Sequence, residues 1–236
     1  MGGYWYYILA LGIMIWSFVV QITLQSKAKK GSTMPSNMTA NEVVEQMLRE
    51  HGISGITICH KSGDLTDCYS PRESKIYLSD TTYNQRTVTA VAVAAHECGH
   101  AVQDHEGMVI YRVRQFLAPA AGICSNVSVY IVMAGLVVAA VAEHGGDIGY
   151  FLCNLGIIVY LVTFLFYLVM LPVERNASSR AYKDMKRSNW VDESDMKYAY
   201  KVLRAAGDTY AISLASSVLT LFRLVLLRNS VKGRRR

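Results

Sequence analysis

Charge is scarce in this chain: charged residues make up 18% of its 236 residues, against 52% hydrophobic. Soluble domains carry more, so the scarcity points to membrane-crossing segments. The basic balance does not form a nucleic-acid surface either. The formal net charge is +6, but the Lys and Arg residues cluster beside apolar runs. No zinc-finger spacing and no aromatic–basic RNA motif accompanies them, so nucleic acid is not expected as a partner. The five cysteines (Cys59, Cys68, Cys98, Cys124 and Cys153) are odd in number and contain no C-x-x-C pair. That argues against a disulfide framework and fits a reducing side for the soluble part. Internal repeats and low-complexity tracts are absent.

What is present is a set of apolar runs with basic flanks. Tyr4 to Gln25 carries no charged side chain and is long enough to cross a bilayer. No positive charge precedes it, while Lys27, Lys29 and Lys30 follow it. It therefore reads as an anchor with its trailing end in the cytoplasm, not as a signal peptide. Two further runs, Phe116 to Ala142 and Ile148 to Leu171, are joined by Glu143 to Asp147, a turn without Lys or Arg. Arg112 and Arg114 precede the pair; Arg175, Arg180, Lys183, Lys186 and Arg187 follow it. This is the pattern of a transmembrane hairpin with an outer turn and both ends in the cytoplasm. A fourth run, Tyr210 to Leu227, carries Ser213, Ser216, Thr220 and Arg223 on one helical face. Two placements are open for it: a span packing that stripe against the others, or a helix along the inner interface. The basic tail from Lys232 to Arg236 suits lipid headgroups. The resulting organisation is an anchor (1–26), a cytoplasmic half (27–114), a hairpin (115–172), a second cytoplasmic segment (173–208) and an apolar helix with a basic tail (209–236).

The soluble pieces carry local signals. Thr39 and Glu42 form a capping box for a helix ending near Glu50, with Gly52 closing it. Strands are expected at Gly55 to His60, Leu65 to Ser70 and Ser74 to Ser79. A helix from about Thr87 to the 104–107 region follows. Another is expected from Glu193 to Ala206, capped by Asp192 and stopped by Gly207.

The chemistry concentrates in "VAVAAHECGHAVQ", Val91 to Gln103. Residues four apart share a helix face, so His96 and His100 can hold one metal ion. Glu97 can reach a water on such an ion and take its proton, the metalloprotease use of H-E-x-x-H. Gly99 is small enough for a substrate or a neighbouring backbone to come close. Cys98 points elsewhere and reads as core. A third ligand must come from outside the helix. His105 fails, because the metzincin pattern requires Gly at 103 and His at 106, and this chain has Gln103 and Glu106. His51, His60 and His144 lack partner spacing and read as solvent or turn residues, and Asp104 and Glu106 as solvated helix-end charges. Glu174, in "LPVERNASSRA", is the better candidate. The hairpin leaves just after His100 and returns to the same side just before Glu174, with Pro172 kinking or restarting the helix there. A His₂Glu set leaves a position open, as catalytic zinc requires. Asn176 and Ser178 are candidates to hold the ligands in place, and Arg180 to stabilise an oxyanion.

The stretches "GDLTDCYSPRESKIYLS", "VAVAAHECGHAVQ" and "LPVERNASSRA" resemble the YugP-type neutral zinc metallopeptidase family of bacterial membrane proteins and, more distantly, the HtpX-type and CAAX-prenyl membrane proteases. The likeness runs over most of the chain. It implies a mainly α polytopic membrane protein with a gluzincin-like core, a small sheet plus the H-E-x-x-H helix, built onto transmembrane helices. It further implies Zn²⁺ on His96, His100 and Glu174, Glu97 as base, and a site facing the cytoplasm of a bacterial cell membrane. It also implies that an edge strand before the metal helix binds the substrate backbone, and the matching segment is Lys75, Ile76, Tyr77 and Leu78. Cys68 and Ser70 replace a His and an Asp of the family pattern, and Arg175-Asn176 replaces Phe-Asp. These departures spare the ligands and the base, and bear on substrate contacts and the level of activity. The reading is a membrane-integrated zinc endopeptidase acting on peptides or membrane proteins. Its competitor is an inactive scaffold keeping a structural zinc, against which the retained Glu97 argues. Spans two and three lack the buried ionisable residues of a transporter. The oligomeric state is not legible.

Overall fold

The computed structural model describes residues 4–142 and 145–232. Residues 1–3, Glu143 and His144 of the expected outer turn, and residues 233–236 of the basic tail lie outside the described residues. The elements in chain order are α1 (Tyr4–Ser32), α2 (Ala40–Glu50), β1 (Thr57–Lys61), β2 (Cys68–Ser70), β3 (Lys75–Ser79), α3 (Val88–His105), α4 (Val109–Val141), α5 (Gly145–Arg187) and α6 (Met196–Lys232). The chain divides into two compact units, one of Met1–Ser17, Val113–Leu171 and Tyr210–Arg236, the other of Phe18–Arg112 and Pro172–Thr209.

The first unit is helical. It draws on α1, α4, α5 and α6, which among the described residues are the four helices long and apolar enough to cross a membrane. The α4–α5 pair is held by close backbone approach. A methyl group on Gly135 would lie 2.7 Å from the Gly149 carbonyl oxygen, and one on Gly156 would lie 2.9 Å from that of Ser128. Small residues allow such contact, and dispersion between the backbones supplies attraction where no hydrophobic effect separates helix from lipid. Thr163 Oγ1 donates to the Ala121 carbonyl at 2.7 Å, adding a polar tie. The last part of α6 packs on this pair: Leu224 and Val231 join Val132, Cys153 and Tyr160 in one buried cluster. Arg228 donates to Asn154 Oδ1 at 3.2 Å and sits over the Tyr150 ring. Of the two placements left open for the fourth apolar run, this gives a helix running alongside the hairpin. The expected stripe is not its seam. Arg223 is exposed, and the buried line is Ser217, Leu224 and Val231. The hydroxyls satisfy themselves locally, Thr220 on the Ser216 carbonyl and Ser217 on that of Leu214.

The second unit holds the sheet. Thr39 caps α2 with both halves of the capping box formed, and Gly52, at φ +67°, ends it as expected. Thr87 caps α3 by accepting from the Ala90 N–H. The three strands are ordered β1-β3-β2, with β1 parallel and β2 antiparallel to β3. Lys75 to Leu78 therefore lie on the central strand, which corrects their expected role as an edge. Ile76 and Leu78 of β3 are fully buried, and a strand buried that deeply needs its backbone groups paired on both sides. Asp67 fixes the arrangement by accepting from the Ser79 N–H and hydroxyl, each at 2.8 Å. α2, the sheet, α3 and the segments around Met185 and Ala199 share one core.

Two helix boundaries also differ from expectation. α5 runs unbroken through Pro172, so the helix does not restart there. α6 begins at Met196, past a turn on the Asp192 carbonyl, and continues through Gly207. An interior glycine costs only about 1 kcal/mol against alanine. Gly207 is not among the positive-φ glycines, and the apolar turns beyond it carry the helix on.

Candidate metal centre

α3 sets the first part of the site. Its inner face is lined by fully buried Val91, Ala92, Ala95 and Val102, so the helix is rigidly seated. Cys98 belongs to that core, as expected, and burial pushes its thiol pKa well above the usual range. His96 and His100 lie a turn apart, their rings 4.8 Å between centroids.

α5 brings the second part. A methyl group on Gly99 would lie 2.9 Å from the Ala177 carbonyl oxygen and 3.2 Å from its Cα. The close neighbour of Gly99 is thus the backbone of α5. That crossing, between the two histidines on one helix and three residues past Glu174 on the other, brings Glu174 across from both imidazoles. Its Oε2 is 3.1 Å from His96 Nε2 and 3.5 Å from His100 Nε2. One ligand atom from each of His96, His100 and Glu174 lies within 4.8 Å of the others.

The far nitrogens decide whether the set fits a metal. His96 Nδ1 is 3.1 Å from the Ser178 hydroxyl, and His100 Nδ1 is 2.9 Å from Gln103 Oε1. The Gln103 amide orientation is fixed independently, since its Nε2 donates to the Val173 carbonyl at 2.8 Å and to Asn176 Oδ1 at 2.9 Å. Its oxygen can therefore only accept, so His100 carries a proton on Nδ1 and presents Nε2 to Glu174. An imidazole held by its outer nitrogen with the inner one free is the state a metal ion binds. Glu174 is 1% exposed. Burial alone would raise its pKa, but the hydrogen bonds from His100 and His96 and their charge outweigh it and hold the carboxylate well below its usual range. A buried, ionised oxygen between two nitrogen donors suits zinc.

Among the flanking residues, Ser178 touches His96, as its candidacy supposed. Asn176 makes no hydrogen bond to a ligand among the described residues. It accepts from Gln103 and from Arg180 Nε, the latter at 2.8 Å. Arg180 then grips both carboxylate oxygens of Glu106, at 2.8 and 2.6 Å. Its three nitrogens each donate to Asn176 or Glu106, which gives it a bracing place between α5 and the end of α3. Glu106 is accordingly an ion-pair partner, and the bonds from Arg180 lower its pKa. Asp104 likewise has a use, accepting from the Tyr69 hydroxyl at 2.9 Å. Burial and that bond push the Tyr69 phenol above its usual range. His51 pairs with buried Asp184 at 2.9 Å, and His60 with Asp80 at 2.6 Å.

Two residues near the ligands were missed. Gln103, fully buried, is the direct support of His100. The signal was available, since it sits three residues on, along the same helix face. Tyr69 gives its backbone N–H to Glu97 Oε2 at 3.0 Å. No spacing in the sequence announces that contact, because it depends on how β2 docks beside α3. Its consequence is that the outward-facing N–H of an edge strand meets the candidate base.

Comparison with known proteins agrees with this donor set. A family described as "Putative neutral zinc metallopeptidase" matches residues 6–229. A protein described as "Putative membrane protease YugP", from Bacillus subtilis (strain 168), is 30% identical over 222 residues, 93% of each chain. No solved structure matches the chain. With a match across nearly its whole length, and with His96, His100 and Glu174 gathered as a fit for the family's Zn²⁺, this chain belongs to the neutral zinc metallopeptidase family.

Proposed function

We propose that the protein is a membrane-integrated zinc-dependent endopeptidase that cleaves peptide bonds in peptides or membrane proteins at the cytoplasmic face. The carrying observation is the three-donor set, His96 Nε2, His100 Nε2 and Glu174 Oε2, with both outer imidazole nitrogens held. The name of the Bacillus relative and the family description point the same way. The orientation rests on Lys27, Lys29, Lys30, Arg112, Arg114 and Lys183, which flank the apolar runs on one side of the expected topology.

When bound, zinc supplies Lewis acidity and lowers the pKa of water toward about 7. Glu97 stands outside the ligand set, next to His96. One of its oxygens is anchored by the Tyr69 N–H, which aims the carboxylate and leaves the other oxygen to take a proton from the attacking water. The same carboxylate then returns that proton to the departing amine. The substrate backbone is assigned to an outer edge of the sheet, which Lys75 to Leu78, on the central strand, do not offer.

The test is Glu97→Gln in the full-length, zinc-loaded protein. Loss of a general base costs on the order of 10²–10⁴-fold in rate. The expected outcome is peptide hydrolysis reduced by that factor with zinc content unchanged. Equal hydrolysis by the variant and the wild type would remove Glu97 from the chemistry.

A further inference from the structure

Behind His96 lies a cleft of about 330 Å³ between two helix faces of the second unit. Its α5 wall carries Arg175, Ser178 and Tyr182; its α6 wall carries Tyr200, Arg204 and Gly207. Each triplet falls at i, i+3 or i+4, and i+7, so each wall is one helical stripe. Facing stripes normally interdigitate. Here small residues face the gap, and a methyl group on Gly207 would touch nothing within 4 Å. Tyr182 and Tyr200 meet edge to face at 5.6 Å and give the cleft an aromatic wall.

The charge is unbalanced. Neither Arg175 nor Arg204 has a hydrogen bond or ion pair among the described residues, whereas Arg180 and Arg187 on the same helix both grip carboxylates. Asp208 also lines the cleft, so one positive charge on its walls is left without a counterpart. The cleft is also close to the chemistry. Ser178, in its wall, holds His96 Nδ1 at 3.1 Å, so one hydroxyl and one imidazole ring separate the cleft from a zinc-facing nitrogen.

Resting on the peptidase reading, we propose that this cleft is a specificity subsite for a carboxylate of the peptide substrate, gripped by Arg204 and Arg175 with its apolar stem against Tyr182 and Tyr200. An Asp or Glu side chain near the scissile bond and a free C-terminus offer the same chemistry. Guanidinium forks pair with carboxylates in preference to neutral amides.

The test uses the full-length, zinc-loaded protein and peptides identical except for one Glu or Gln moved across the scissile bond, each with a free or amidated C-terminus. One Glu position, or the free terminus, is expected to raise kcat/KM about tenfold or more, the worth of a charge-assisted hydrogen bond. Arg204→Gln should abolish that preference and leave the all-Gln, amidated peptide unaffected, while Arg204→Glu should shift it toward Lys. No acidic preference in the wild type, or one untouched in Arg204→Gln and Arg175→Gln, overturns the subsite. So does a loss of binding to anionic vesicles with peptide preference unchanged, which would make it a lipid site. If the wild type cleaves none of the peptides, the peptidase reading fails separately. Binding of the labelled peptides to Glu97→Gln then decides: a Glu-over-Gln preference lost on adding Arg204→Gln supports the subsite, and equal or absent binding overturns it.

Discussion

Both units contain a helix crossing built on glycine, and they use it differently. In the first unit Gly135 meets Gly149 and Gly156 meets Ser128, contacts of backbone on backbone that set only how near α4 and α5 lie. In the second, Gly99 meets Ala177 in the same manner, but the crossing is flanked by buried groups that must be hydrogen-bonded. Gln103, Glu174 and His100 are each buried and each partnered. Close approach fixes distance; the polar network fixes orientation and protonation. A membrane bundle tolerates some slack in the second of these, whereas a metal site tolerates little, because ligand geometry decides affinity.

That contrast can be broken in graded steps. The largest effect is expected from Glu174→Ala or His100→Ala, which leave two donors: zinc content by atomic spectroscopy should fall to background along with hydrolysis. Gly99→Val comes next. The added carbons would strike the Ala177 backbone, which has no side chain to swing aside, so α5 must shift and carry Glu174 with it. Zinc affinity and thermal stability should fall together. Gly149→Val is the matched control in the other unit. Overpacking there costs typically 1–3 kcal/mol, read as a lower unfolding temperature in detergent with zinc stoichiometry intact. Equal zinc loss in both variants would erase the distinction drawn between the crossings.

Gln103→Leu sharpens the orientation argument, since the fold around α3 should persist while His100 Nδ1 loses its acceptor. Loss of such a support typically costs 10–100-fold in metal affinity, measurable by chelator competition. The smallest effect concerns Glu106 and Arg180. Because Arg180 lowers the Glu106 pKa, their pairing stabilises the fold above the ordinary Glu titration range and stops doing so as pH falls through the depressed value. Glu106→Gln should therefore lower the unfolding temperature slightly at pH 7 and not at all in strong acid, as suits a partly exposed pair.

Local features were legible because their physics is local. Thr39 with Glu42, Thr87, Gly52 and the spacing of His96 and His100 need no information beyond neighbouring residues. Glu174 was legible for a different reason, as the charge pattern around the hairpin implies where the chain returns. The order β1-β3-β2 was not, because it depends on which strand the core covers, and three short runs of similar composition do not say. The pairing of Arg180 with Glu106 was not legible, because Glu106 lies at the end of another helix far along the chain. Gly207 was misread as a stop because a glycine ends a helix only where the backbone turns to positive φ, and here it does not.

X-ray absorption at the zinc edge of the purified, full-length protein tests the central claim most directly. Two imidazoles and a carboxylate predict only nitrogen and oxygen scatterers near 2.0–2.2 Å, with the outer-ring signal of two histidines, and the loss of one light scatterer in Glu174→Gln. A sulfur scatterer near 2.3 Å, or a spectrum unchanged by Glu174→Gln, would contradict the His96, His100 and Glu174 site.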